Sequence, residues 1–195
     1  MTQRRLIASI TVSLNGLIND ATDPATAGMG WLHEHATAEV TRAHFEGIWR
    51  GADTIVLGRK NYEGFLGYWR PLATDDTAHP RDRALATWLT DTPKIVASTT
   101  IDDPTWEQTT ITTDPITDIR ALKQQPGGDI IVLNSASLIR QLLRLDLVDA
   151  LNLHQAPTIL GAGDRLLDEV PTSRWALDSV TTIPTGALAL LYSRR

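Results

Sequence analysis

Short apolar runs that alternate with amphipathic stretches constrain the fold of this chain more than any other feature of its sequence. The runs are rich in β-branched and aliphatic residues and predict strands at residues 6–14, 54–57, 94–98, 106–113 and 129–133. Apolar residues at helical spacing predict helices at residues 36–49, 80–89 and 115–125 and directly after residue 137. The chain therefore alternates between strands and helices through most of its length.

The last third of the chain predicts strands without helices between them. Short candidates lie at residues 151–153 and 158–160, and residues 175–193 predict two strands joined by a turn at 184–186. No repeat or Pro/Ser-rich linker divides the 195 residues. We predict one domain spanning residues 1–195, an α/β fold with a mostly parallel central sheet, flanking helices and an antiparallel C-terminal hairpin.

Composition excludes several classes of function. The formal net charge is −5 and no Lys/Arg-rich run is present, which argues against nucleic-acid binding. Cysteine is absent, so disulfides, a thiolate nucleophile and a cysteine metal site are excluded. The first apolar run is short and is interrupted by Ser9 and Thr11, which does not fit a membrane span or a signal peptide. We expect a soluble, cytoplasmic protein.

Polar or glycine-rich segments follow four of the predicted strands. In parallel sheets, ligands bind beyond the carboxyl ends of the strands. Four such segments predict a crevice lined with hydrogen-bond donors, cations and helix N-termini, which suits a ligand with several phosphates and hydroxyls, such as a dinucleotide. The segments are Asn15-Gly16, Gly58-Arg59-Lys60, Ser98-Thr99-Thr100 and Asn134-Ser135-Ala136-Ser137.

The second of these segments combines two features that favour anions. Arg59 and Lys60 follow a buried strand and begin an amphipathic segment, so both cations lie beside a predicted helix N-terminus. The alternative is a strand that ends in a solvated Arg-Lys turn. This segment alone leaves both interpretations open.

Other known chemical motifs are missing. The G-x-G-x-x-G fingerprint does not follow the first strand, and its nearest match, at residues 161–166, is better interpreted as a tight turn. His33 and His35 lack an H-E-x-x-H context and are interpreted as a solvated pair, so no metal site is predicted. Most of the six tryptophans are expected in the core or at a subunit interface, with Trp31 the one placed near a ligand.

Five segments in order resemble a known family across nearly the whole chain. They are Ser-Leu-Asn-Gly-Leu-Ile at 13–18, Thr-Ile-Val-Leu-Gly-Arg-Lys-Asn-Tyr-Glu at 54–63, Lys-Ile-Val-Ala-Ser at 94–98, Gly-Asp-Ile-Ile-Val-Leu-Asn-Ser at 128–135, and Leu-Val-Asp at 147–149 followed by Pro-Thr-Ile-Leu-Gly-Ala-Gly-Asp-Arg-Leu at 157–166. With them the chain resembles the dihydrofolate reductase-like superfamily, in its branch shared with the reductase domain of bacterial riboflavin biosynthesis.

The resemblance implies NADPH as the hydride donor and a homodimer as the assembly. Arg59 would bind the 2′-phosphate, with Gly58, Lys60 and Asn61 beside it, because a guanidinium can bind two phosphate oxygens at once. Ser98 and Thr99 would close the phosphate pocket. Backbone N–H groups of Asn134, Ser135, Ala136 and Ser137 would approach the pyrophosphate.

The chain departs from the family pattern at three positions. Asn15 stands where the family usually has Asp, and an amide cannot act as a general acid or base near neutral pH. The loop at residues 134–137 is usually richer in glycine, and Asn61 replaces a usual Thr. Glu34 and Glu39 are available for the acidic residue that dihydrofolate reductases carry on the first helix. We take Glu39, with Trp31, as the substrate-side candidate.

These features predict an NADPH-dependent reductase of a small heterocyclic or carbonyl substrate. The predicted enzyme is most like 5-amino-6-(5-phosphoribosylamino)uracil reductase of riboflavin biosynthesis. A dihydrofolate reductase is the first alternative. A nucleotide-binding protein without turnover is the second, because Asn15 and the loop at residues 134–137 depart from the family pattern.

Overall fold

The computed structural model describes residues 4–195, which form a single eight-stranded sheet flanked by helices. The strands are β1 (Leu6–Val12), β2 (Ala52–Gly58), β3 (Lys94–Ala97), β4 (Thr109–Thr112), β5 (Asp129–Leu133), β6 (Ala150–Gln155), β7 (Trp175–Thr182) and β8 (Leu188–Arg194). The helices are α1 (His33–Ala36), α2 (Glu39–Trp49), α3 (Arg59–Leu72), α4 (Pro80–Asp91), α5 (Pro115–Lys123) and α6 (Ala136–Arg144), with 3₁₀ turns at Pro24–Thr26 and Gly30–Leu32.

The strand order is β4-β3-β2-β5-β1-β6-β8-β7. Neighbouring strands from β4 to β6 are parallel, whereas β8 runs antiparallel to both β6 and β7. The prediction of a mostly parallel sheet with an antiparallel C-terminal hairpin is confirmed. Within the described residues, no helix is both long enough and apolar enough to cross a membrane.

The helices cover both faces of the sheet. On one face, α2, α3 and α4 bury Trp49, Tyr62 and Leu89 against the strands. On the other face, α5 and α6 bury Ile119 and Ile139. The connections that leave β2 and β5 therefore run over opposite faces, although the two strands are neighbours. Such diverging connections open a crevice at the carboxyl ends of the strands.

Three predicted elements differ from the structure. The helix predicted at residues 36–49 is interrupted, because Ala38 adopts an extended conformation between α1 and α2. The strand predicted at 106–113 is confined to β4, because Trp106 is buried and donates its backbone N–H to the Tyr62 hydroxyl. Residues 158–160 form no strand, because Thr158 accepts a hydrogen bond from the loop residue Leu14 instead of joining the sheet.

The glycine-rich segment at residues 161–166 is a turn, as predicted. A Cβ atom on Gly163 would lie 1.9 Å from the backbone oxygen of Asn19, so only glycine permits this close approach of two loops. The segment follows β6 and does not line the crevice described below.

Candidate cofactor site

A groove of about 350 Å³ lies at the carboxyl ends of β2 and β5. A second groove continues from it along the ends of β3 and β4, and both include Arg59, Ala97 and Pro115. Nine of the ten residues predicted to bind the cofactor line one of these two grooves. The tenth, Asn134, lies directly before the lining residue Ser135. The first groove contains Gly58, Arg59, Lys60, Asn61, Ser135, Ala136 and Ser137, and the second contains Ser98 and Thr99.

The two sides of the first groove are joined by Ser135. Its hydroxyl accepts a hydrogen bond from the backbone N–H of Gly58 at 2.8 Å and donates one to the carbonyl of Leu133 at 2.8 Å. Ser135 is only 3% exposed. Its hydroxyl therefore stabilises the walls of the groove and is not free to bind a ligand.

Two helices begin at the groove. α3 starts at Arg59 and α6 starts at Ala136, and their first backbone N–H groups have no partner within the helix. Asn134 adopts a left-handed conformation with φ of 47°, which Asn tolerates better than most residues, and this turn leads β5 into α6. Two helix N-termini facing one cleft make it favourable for anions.

Arg59 lies at the junction of the two grooves, where it pairs with Glu63 one turn along α3. The guanidinium Nη1 lies 3.0 and 2.9 Å from the two carboxylate oxygens. Both side chains are substantially exposed, at 42% and 51%, so the ion pair contributes little to stability. Arg59 can therefore exchange Glu63 for a phosphate at small cost.

Ser98 shapes the second groove. Its buried hydroxyl accepts hydrogen bonds from the backbone N–H groups of Thr100 and Ile101, both at 3.1 Å. Thr99 and Thr100 are left exposed on the loop that Ser98 holds in place. The Ser98 oxygen is therefore used as an acceptor within its own loop, whereas the hydroxyls of Thr99 and Thr100 are exposed in this groove.

Asn15 lies in neither groove, and its carboxamide makes three hydrogen bonds within the protein. Oδ1 accepts hydrogen bonds from the Ser13 hydroxyl at 2.9 Å and the Leu160 N–H at 3.2 Å, and Nδ2 donates to the Leu160 carbonyl at 2.9 Å. The side chain thus connects the loop after β1 to the loop after β6. This arrangement gives Asn15 a structural role, and its neutral amide does not act as a general acid.

The two substrate-side candidates also lie outside the grooves. Trp31 is half-buried and donates its indole N–H to the Gly28 carbonyl at 2.9 Å. Glu39 is exposed, forms an ion pair with Arg81 and lies 3.2 Å from His79 Nε2 at the start of α4. Glu39 therefore does not provide a buried carboxylate. Glu34 does not provide one either, because its side chain is 76% exposed.

Sequence reasoning missed a cluster of histidines beneath α1 and α2. The interpretation of His33 and His35 as a solvated pair is wrong for His35, which is 2% exposed. His35 lies near His44 and His154. Burial, together with the imidazoles of His35 and His44, lowers the pKa of His154 to about 4. The polar residues Asn152 and His154, at alternate positions of β6, were the sequence signal that could have predicted this cluster. Among the described residues, no group of His, Cys, Asp and Glu is arranged to hold a metal ion.

The fold is that of the dihydrofolate reductase-like superfamily, an α/β class with its ligand crevice at the carboxyl ends of the strands. The chain belongs to the RibD C-terminal domain family, whose model matches residues 4–189. The predicted superfamily and the riboflavin-biosynthesis branch are thereby confirmed.

Comparison with individual proteins agrees with this assignment. The uncharacterized protein YyaP of Bacillus subtilis (strain 168) is 26% identical over 191 residues, which cover 97% of this chain and 95% of that protein. The crystal structure of a putative riboflavin biosynthesis protein from Shewanella sp. PV-4 has a TM-score of 0.68 at 20% identity, covering 98% of this chain and 99% of the other. Dihydrofolate reductase from Enterococcus faecalis, complexed with NADP(H), has a TM-score of 0.57 at 15% identity, covering 99% and 98%.

Proposed function

We propose that this protein is an NADPH-dependent reductase of a small heterocyclic or carbonyl substrate, of the kind found in riboflavin biosynthesis. One observation carries the proposal: a groove between the N-termini of α3 and α6 continues into a hydroxyl-rich groove with Arg59 at the junction. Membership of the RibD C-terminal domain family and a fold shared with an NADP(H)-bound reductase support it.

The residues present fit the phosphate groups of NADPH. Backbone N–H groups in the first turn of α6, from Ser137 onward, suit the pyrophosphate, since the Ala136 N–H donates to the Asn134 carbonyl at 3.1 Å. Arg59 suits the 2′-phosphate because its guanidinium can bind two oxygens, and Thr99 and Thr100 add hydroxyl donors. When bound, the cofactor supplies the hydride, and the protein orients the cofactor and the substrate.

A thermal-shift titration with NADPH and NADH side by side tests the proposal. Ligand at a hundred times its dissociation constant stabilises the folded state by about 2.7 kcal/mol, a shift of roughly 5–10 °C for a domain of this size. We expect a shift of this size with NADPH and a smaller one with NADH. If neither cofactor shifts the transition, the reductase proposal is wrong.

The substrate closest to the family pattern is 5-amino-6-(5-phosphoribosylamino)uracil, whose ribosyl group would be reduced to the ribityl form. Folate is less well supported. The acidic candidate Glu39 is exposed and paired with Arg81, so it does not form the buried carboxylate that a pterin requires. Turnover of the uracil compound but not of dihydrofolate in a coupled NADPH oxidation assay would agree with this ranking.

The state of Asn15 favours a second candidate, a protein that binds the cofactor without turning it over. Its carboxamide makes three hydrogen bonds within the protein and offers no acid. A protein that binds NADPH tightly but oxidises none with pyrimidine, pterin or aldehyde substrates would support this candidate over the reductase.

The predicted homodimer is supported by exposed apolar side chains on the C-terminal hairpin. Leu177 and Val180 of the edge strand β7 are 52% and 48% exposed. Such side chains at the end of a sheet suit packing against a second copy across a two-fold axis. Light scattering coupled to size-exclusion chromatography gives the mass directly, and Leu177→Lys should shift a dimer towards monomer.

A further inference from the structure

Asn15-Gly16 is a chemically labile pair that the proposed function does not use. The asparagines of the chain are Asn15, Asn19, Asn61, Asn134 and Asn152, and only Asn15 precedes a glycine. Because glycine has no side chain to shield its own backbone nitrogen, that nitrogen can reach the carboxamide carbon of the preceding asparagine. An Asn-Gly pair is therefore the most reactive context for loss of a side-chain amide, the reaction that makes asparagine thermolabile in proteins.

The loss of this amide needs water and no other reagent. The backbone nitrogen of Gly16 bonds to Cγ of Asn15, the Cγ–Nδ2 bond breaks, and ammonia leaves with the hydrogen of the attacking N–H. Water then opens the resulting cyclic imide and leaves either aspartate or its β-linked isomer at position 15. Water can reach this point, because Gly16 is half-buried and a Cβ atom placed on it would meet no atom within 4 Å beyond its chain neighbours.

Both reacting groups are held by hydrogen bonds in the structure. The Gly16 nitrogen donates its hydrogen to the Ser13 carbonyl at 3.0 Å, and this is the hydrogen that it must give up in order to attack. The Asn15 carboxamide is bound to Leu160 through Nδ2 at 2.9 Å and through Oδ1 at 3.2 Å, and it also accepts from the Ser13 hydroxyl at 2.9 Å. Cyclisation turns the carboxamide towards Gly16, so these contacts have to break first.

The contacts of Asn15 belong to a longer seam between two loops, residues 13–21 after β1 and residues 158–166 after β6. Backbone N–H groups donate across this seam at 2.8–3.1 Å, from Leu14 to Thr158, from Ile18 to Asp164, from Ala21 to Ala162 and from Leu166 to Gly16. The carboxamide is released only where the seam opens. The rate of amide loss in the folded protein therefore follows the fraction of molecules in which this part of the seam is open.

The seam has an exposed end and one point of very close approach. Leu14 and Ile159, the chain neighbours of the bonded pair, are 53% and 72% exposed. Exposed backbone hydrogen bonds with little apolar burial are typical of segments that open locally. The close approach is at Gly163, where a Cβ atom would overlap the backbone oxygen of Asn19. A substitution there forces the loops apart without changing either reacting residue.

We infer that Asn15 is a site of spontaneous deamidation that the seam controls: closed loops protect its carboxamide, and open loops allow its conversion to aspartate or the β-linked isomer. The product weakens the seam, because a carboxylate cannot donate to the Leu160 carbonyl to which Nδ2 now donates. A deamidated molecule therefore has more loosely joined loops at the carboxyl ends of β1 and β6. This inference does not depend on the proposed function, because it concerns only the contacts between the loops.

Peptide mass spectrometry of the intact protein after incubation in mildly alkaline buffer tests this inference. Replacement of the amide NH₂ by OH changes the mass of the peptide, and fragment ions distinguish Asn15 from Asn19. We expect Asn15 to react at least about tenfold more slowly in the folded protein than in guanidinium chloride, because only the opened fraction reacts. Asn19→Ala removes the acceptor of the Asp164 N–H at 2.8 Å and should speed the reaction of the folded protein by about twofold to tenfold.

Gly161→Ala is the matched control, because it lies in the same loop, has open space for a Cβ atom and should leave the rate unchanged. Gly163→Ala should speed the reaction more than Asn19→Ala does. Circular dichroism shows whether each variant is folded during the incubation, and if Gly163→Ala unfolds, the milder Asn19→Ala decides. The inference is overturned if Asn15 keeps its amide in guanidinium chloride, reacts equally fast in the folded and unfolded protein, or reacts no faster in Asn19→Ala than in Gly161→Ala.

Discussion

The backbone N–H of Gly58 donates to the hydroxyl of Ser135 at 2.8 Å, and this hydrogen bond joins the starts of α3 and α6 across the candidate cofactor groove. Ser135→Ala leaves the half-buried Gly58 N–H without its partner. We expect a loss of about 1–3 kcal/mol in the free energy of unfolding, together with weaker NADPH binding. Urea denaturation measures the first effect. Ser137→Ala, at an exposed position of α6, is the control and should change stability by less than about 0.5 kcal/mol.

Arg59 and Glu63 give a second prediction. Arg59→Ala should weaken NADPH binding by about tenfold to a hundredfold, because a charged hydrogen-bonded contact contributes about 1.5–3 kcal/mol. It should barely change NADH binding. Glu63→Gln removes the competing carboxylate and should strengthen NADPH by about twofold. Fluorescence titration of the bound nicotinamide gives both constants. Equal losses for the two cofactors with Arg59→Ala would contradict the assignment of Arg59 to the 2′-phosphate.

Asn15→Asp addresses the position where the family usually has an acid. The new carboxylate would face the Leu160 carbonyl that Asn15 Nδ2 now contacts at 2.9 Å. We expect a loss of about 1–3 kcal/mol in stability at neutral pH and no gain in the rate of NADPH oxidation. Thermal unfolding and steady-state kinetics measure the two effects. A large increase in rate would show that the amide limits proton delivery and that our structural account of Asn15 is incomplete.

His154 predicts an acid-dependent loss of stability. Its pKa falls from 6.5 to about 4 on folding, because burial and the neighbouring His35 and His44 disfavour the charged ring. Between these values the unfolded state binds more protons than the folded state, so the free energy of unfolding decreases as the pH falls through this window. Below this window, His154 has lowered the free energy of unfolding by at most about 3 kcal/mol.

The measurement is urea denaturation across the same pH range, with His154→Asn as the comparison. The variant should show a shallower decrease, because the group that takes up the proton on unfolding is gone. Equal slopes for the variant and the unaltered protein would mean that other groups cause the acid dependence.

The sequence predicted strands better than the loops and their contacts. β5 matches its predicted bounds because an almost wholly apolar run is typical of a strand buried inside a sheet. The helix predicted at 36–49 failed at Ala38, whose side chain does not signal a break and whose conformation leads into α2. Trp106 was taken into a strand by its apolar character, whereas its packing against Tyr62 removes it from the sheet.

The candidate site was predicted as a set of loops but not as a set of contacts. Gly58, Ser98 and Ser135 do lie where expected. However, Ser98 was expected to close the phosphate pocket, and the structure shows its hydroxyl oxygen accepting hydrogen bonds from two backbone N–H groups of its own loop. Composition cannot distinguish a hydroxyl that binds a ligand from one that stabilises a loop, because both need the same residue type at the same place.

The sequence by itself determined the strands, the polar segments at their carboxyl ends and hence the edge of the sheet where the candidate cofactor grooves lie. These features follow from hydrophobic patterning, which acts between near neighbours in the chain. Only the tertiary structure decided that β5 lies between β1 and β2 and that the Gly58 N–H donates a hydrogen bond to Ser135. The same is true of the position of His154 beside His35 and His44. Gly58 and Ser135, for example, are 77 positions apart in the chain, and such relationships depend on how elements pack rather than on local pattern.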